Sequence, residues 1–260
     1  MSLRDLRFAL HLVVAGIVFV AQLSAQAPAV DWARVTAKLD HAAMTDNAVD
    51  LKSARAACLR YAITPVDGVP VPLARYAVAY AAYRLAVNPA LSGAEQAAFG
   101  DEAEAQARQA VAADPKFADA YGLLSAAIGL KIAAAASVDA KMQYGPQASD
   151  ALNHGLSLEP ENPRLLLLEG IGLFRRPEQY GGDPKQAEAL FRRAVEAFSH
   201  DTPTKPWPNW GRFDAHLWLG QALARRGEVA GARVEYGLAL EIAPDSEYAK
   251  QLLAALGKGC

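Results

Sequence analysis

Residues 215–244 read AHLWLGQALARRGEVAGARVEYGLALEIAP. Leu219, Gly220 and Leu223 recur at helical spacing, Gly227 interrupts the pattern, Ala232, Tyr236 and Ala239 resume it, and Pro244 ends it. Side chains three and four positions apart share one face of an α-helix, and Gly or Pro at the joints stops it. The stretch therefore encodes two helices folded back on each other. Gly220 and Ala232 are small where the helices cross closely, and Tyr236 is expected to fill the gap between successive pairs.

The second-helix signature recurs upstream as Ala103, Ala107, Ala110 and Pro115, then as Ala148, Leu152, Gly155 and Pro160, and again as Ala187, Phe191 and Ala194. Three phrases, AADPKFADAY, LEPENPRLLL and IAPDSEYAKQ, each join a closing proline to the start of the next helix. These positions resemble the tetratricopeptide repeat (TPR) family. The resemblance implies an all-α fold, a right-handed superhelical solenoid of antiparallel helix pairs, with about four repeats across residues 71–245. Residues 28–70 are expected to add an N-terminal helical pair, carrying Trp32, Val35, Leu39, Leu51, Ala54, Cys58 and Leu59 at helical spacing, and the Pro-rich connector TPVDGVPVP. Residues 246–260 supply a short capping helix and tail. An extended array would hold the two cysteines, Cys58 and Cys260, too far apart to be bridged, leaving two free thiols or an intermolecular bridge at Cys260.

Three repeats depart from the family pattern between their paired helices, where the chain reads NPALSGAEQAAFG, AAAASVDAKMQYG and RRPEQYGGDPK. Either these are loops that carry function or they lengthen the helices. In the last of them, Gly181 and Gly182 allow a sharp turn before Asp183 caps a helix with Pro184 in its first position. The least helical stretch, DTPTKPWPNWGRF, holds Trp207 and Trp210. They are either an aromatic contact for a partner or a plug between helical pairs.

At the N-terminus Arg4 and Arg7 precede an apolar run from Phe8 to Val20 and then Ala25-Gln26-Ala27. This is the order of a secretory signal peptide, residues 1–27, and the run of about 13 residues is short against the roughly 20 that span a bilayer. The reading is an exported chain, periplasmic or secreted, with no stable membrane anchor after cleavage; retention as an anchor is the alternative. Loss of the signal leaves a formal charge of about −3, which gives nucleic acid nothing to bind.

No catalytic pattern emerges. His41, His154, His200 and His216 stand in no zinc-ligand spacing, no GxSxG elbow is present, and neither Gly170-Ile171-Gly172 nor the terminal GKGC sits in a phosphate-binding context. The expectation is a protein without catalysis and without cofactor or metal.

TPR proteins usually line a concave groove with the first helix of each pair. By that resemblance the groove here comprises Arg164, Leu167, Ile171 and Phe174 in one repeat and Asp214, Leu217, Gln221 and Ala224 in the next, with Ala77, Ala81 and Arg84 and then Asp119, Gly122 and Ala126 from the earlier repeats. Its apolar character disfavours the carboxylate clamp found in part of the family. It suits an amphipathic protein or peptide segment, unless these side chains pack on neighbouring helices; a small apolar ligand, as for a transport accessory, is the second reading.

Overall fold

The computed structural model describes residues 32–135, 137–202 and 207–257. The export segment, the expected cleavage site and Cys260 lie outside them. Eleven α-helices and one 3-10 turn make up the regular structure of the described residues, apart from an isolated bridge between Val66 and Val69. In chain order they are α1 (Trp32–Met44), α2 (Ala48–Ile63), α3 (Val71–Ala86), α4 (Gly93–Ala113), α5 (Ala118–Ala134), α6 (Val138–Leu158), α7 (Pro163–Arg175), α8 (Pro184–His200), α9 (Arg212–Arg225), α10 (Val229–Ile242) and α11 (Glu247–Ala255). Successive helices pack as antiparallel pairs, and each pair lies against the next. This is the all-α solenoid that the repeat spacing implies.

The joints start helices for local reasons. Asn162 accepts from the amides of Arg164 and Leu165, with Pro163 in the first position of α7. Asp183 does the same for Lys185 and Gln186 ahead of α8, Asn47 caps α2, and Ser246 caps α11. Each cap satisfies amides that a helix's own hydrogen bonding leaves free.

Within a pair, a glycine on the first helix receives an aromatic ring from the second. A Cβ at Gly220 would stand 2.5 Å from the Tyr236 ring, and one at Gly170 would stand 2.6 Å from Phe191. Tyr236 thus packs inside its own pair, α9 with α10, a correction to its expected place between pairs. Ala103, Ala107, Ala110, Ala187, Ala194, Ala232 and Ala239 are fully buried, so the alanines of the signature are the contact line of the second helices.

Two of the three long inter-helix segments lengthen helices, since α4 begins at Gly93 and α6 at Val138. The third is a loop with a 3-10 turn at Glu178–Tyr180, with Gly181 at φ 84°.

The array is not extended. His41 of α1 reaches Asp245, just ahead of α11, at 3.2 Å. Arg84 of α3 meets Asp214 of α9 at 2.8 Å. The superhelix therefore curls until its two ends touch, and its concave face becomes an interior. Cys58 on α2 is a buried free thiol, its pKa pushed up to about 12 by burial.

Candidate functional site

The first helices α1, α3, α5, α7 and α9 line the concave face, and residues 207–211, between α8 and α9, lie across it. Trp210 stacks on Tyr80 of α3, with centroids 4.5 Å apart and planes 18° apart, and its Nε1 donates to Tyr76 Oη at 2.9 Å. Trp207 packs against both tyrosines and donates from Nε1 to the Asp40 carboxylate of α1 at 3.1 Å. Both tryptophans are buried, as are Tyr76 and Tyr80. Trp207 and Trp210 are therefore not an exposed contact; they are buried against α1 and α3 on the concave face, where the expected plug was one between two helical pairs.

Arg164 ties the plug to α7, and Arg84 links the ends of the array beside it. Arg164 Nη2 donates to Asp201 at 2.7 Å and to the Pro208 carbonyl at 3.0 Å, while its guanidinium lies over the Phe198 ring. Arg84 bridges Asp214 at 2.8 Å and Asp46 at 2.9 Å, and also donates to the Ala43 carbonyl. Burial raises the Asp40 carboxyl to about 7, although the Trp207 hydrogen bond and Arg164 oppose the rise. Asp119 is raised to about 6 for the same reason, with Arg164 again opposing. Removing a carboxylate from water disfavours its charged form, and neighbouring cations only partly compensate.

The expected groove residues thus divide. Arg164, Leu167 and Leu217 are buried, Arg164 against the Pro208 carbonyl of the plug. Ile171, Phe174 and Gln221 are half-buried and accessible on the outer part of the face. Trp218, which the sequence reading left out, joins them: its ring lies 5.8 Å from Phe174, edge to face, and both rings contact Phe191. Arg175 lies 5.0 Å over Trp218, and Arg225 lies 5.3 Å over Phe174. Both guanidiniums are exposed, and among the described residues neither meets a carboxylate. Ring faces attract cations and hold these planar forks in fixed orientation. A signal for Trp218 existed, because it lies four positions after Asp214 and three before Gln221 on the same helix.

A second concavity, an open cleft of about 910 Å³, lies at the start of α7 and the end of α8, lined by Asp119, Glu159, Asn162, Arg164, Arg193 and Asp201 among others. Among the described residues no three His, Cys, Asp or Glu side chains come together as a metal-ligand set. His41, His200 and His216 each pair with a carboxylate, and His154 packs at a tilt against the Tyr121 ring. No helix among the described residues is long and apolar enough to cross a membrane.

No protein-family model and no curated protein sequence matches this chain. Solved structures do. One is TTC0263, a thermophilic TPR protein of Thermus thermophilus, at 20% identity over 83% of this chain and 98% of that one, TM-score 0.56. Another is the HusA haemophore of Porphyromonas gingivalis, at 24% identity over 77% of this chain and 96% of that one, TM-score 0.61. At these identities the likeness is one of fold.

Proposed function

We propose that this chain, a TPR-like helical-repeat protein, is an exported scaffold that binds a protein or peptide segment on the outer part of its concave face and performs no catalysis. The observation that carries the reading is the division of the groove. The inner half is closed by the chain's own Trp207 and Trp210, while Ile171, Phe174, Trp218 and Gln221 remain accessible and are flanked by Arg175 and Arg225. Half-exposed aromatics beside arginines are the residue types in which binding energy concentrates at protein interfaces. Export rests on the N-terminal order of basic, apolar and small residues.

The test is capture from an envelope extract by the immobilised protein, repeated with Ile171→Asp and Trp218→Ala. A partner lost with variants whose circular dichroism is unchanged supports the reading. Leu167 and Leu217 do not serve, because a charge at either buried position reports on folding. N-terminal sequencing of the secreted protein tests export, with cleavage after Ala25 or Ala27 expected.

A second reading has one observation in its favour. A structure similar to this one is a haemophore, and two aromatic rings flanked by guanidiniums also suit a flat anionic small molecule. Failure to capture protein, with such a molecule co-purifying, would favour it.

A further inference from the structure

Four side chains at the outer part of the concave face are arranged reciprocally. Phe174 and Arg175 are the last two residues of α7, and Trp218 and Arg225 belong to α9. Arg175 reaches over the Trp218 ring of α9 at 5.0 Å, while Arg225 reaches back over the Phe174 ring of α7 at 5.3 Å. The two rings meet edge to face at 5.8 Å, and both contact the buried Phe191. A guanidinium lying over a ring spends its face on the aromatic and keeps its edge N–H donors for an acceptor. Two donor forks are thus held ready at the surface.

The charge around them is unbalanced. Beside Phe174 and Arg225 an open cleft of about 580 Å³ runs onto the start of α8, lined also by Lys185, Arg226, Glu178 and Asp183. Arg226 is already paired, with Glu188 at 2.8 Å and with Glu228. Asp183 is engaged by the amides of Lys185 and Gln186. Arg175, Arg225 and Lys185 therefore stand without a carboxylate among the described residues, with Glu178 alone to set against them. On a chain of formal charge −2, this is a local cationic excess beside half-exposed rings.

We propose that the segment taken by this groove is acidic: an amphipathic stretch whose side-chain carboxylates pair with Arg175 and Arg225 while its apolar side chains cover Phe174 and Trp218. Planar forks take carboxylates two hydrogen bonds at a time, and the rings between them supply the apolar contact. A basic segment would meet three unpaired cations, and an uncharged one would leave both forks to water. The inference rests on the peptide-binding reading above and gives the partner its chemistry.

The experiment is fluorescence anisotropy on the full chain with two labelled, end-capped peptides, EELLEELLEE and its neutral counterpart QQLLQQLLQQ. The acidic peptide is expected to bind about tenfold or more tighter at about 50 mM salt, and to lose that advantage at about 500 mM. Arg175→Gln and Arg225→Gln, at exposed positions, are each expected to weaken the acidic peptide about fivefold, the size of one well-oriented surface ion pair. Binding of the neutral peptide and the melting temperature should not change. Equal binding of the two peptides, or acidic binding that ignores both substitutions, overturns the inference; the groove reading survives if Trp218→Ala still weakens binding. No binding of either peptide also overturns it. The groove reading then stands on the capture experiment alone, and falls with it when no partner is retained.

Discussion

Replacing Asp40 by Asn isolates the ionisation at the plug. Asp40 is half-buried, its carboxylate accepts Trp207 Nε1 at 3.1 Å, and burial raises its pKa from 3.8 to about 7. In the unfolded chain the group ionises near the ordinary value. The folded state thus binds the extra proton between about pH 4 and 7, and stability declines as pH rises through that window, the decline being complete above 7. A shift of this size corresponds to at most about 4 kcal/mol at 1.36 kcal/mol per unit, and partial solvent access reduces it to about 2 kcal/mol. Asn keeps an oxygen to accept the Trp207 N–H and never carries a buried charge. Urea unfolding followed by tryptophan fluorescence is expected to show Asp40→Asn gaining about 1–2 kcal/mol more over wild type at pH 8 than at pH 5. Asp119, raised to about 6, titrates in both proteins and drops out of the difference. An identical difference at the two pH values would refute the argument that Asp40 is held neutral by burial.

Tyr76→Phe removes the acceptor of Trp210 Nε1 and leaves a buried N–H unpaired, so a loss of about 1–3 kcal/mol is expected in chemical denaturation. Gly220→Ala drives a Cβ into the Tyr236 ring, and overpacking of this kind costs about 1–3 kcal/mol, read as a lower melting temperature; Gly237→Ala, which meets nothing within 4 Å, is the control and should not destabilise. Arg84→Met strands Asp214 and Asp46 beside an apolar side chain where α3 meets α9, and a loss of about 3–5 kcal/mol is expected by the same assay.

The paired helices, their breaks and their caps are legible because their causes are local. Gly220 with Tyr236, Asn162 before Pro163 and Asp183 before Pro184 act within a helix or between helices adjacent in the chain. The candidate groove was half legible. The positions facing the concave side follow from helical spacing, but which of them stay accessible depends on segments far away in sequence. Trp207 belongs to α1 through Asp40, and Trp210 belongs to α3 through Tyr76, over a hundred residues distant in each case. Nothing in the spacing of Leu167, Ile171, Phe174 and Leu217 records that the first and the last are buried while the middle two stay accessible.

By itself, then, the sequence determined the repeat, the helix class and the lack of any recognisable catalytic pattern, because helix periodicity and capping are short-range physics. The tertiary structure decided the rest. Small rotations between successive pairs accumulate, and their sum brings α1 to Asp245 ahead of α11 and α3 to α9, buries Asp119, Arg164 and Asp214, and turns an expected open groove into a filled interior with an accessible outer edge. An accumulated angle is a property of the whole array, and no single repeat encodes it.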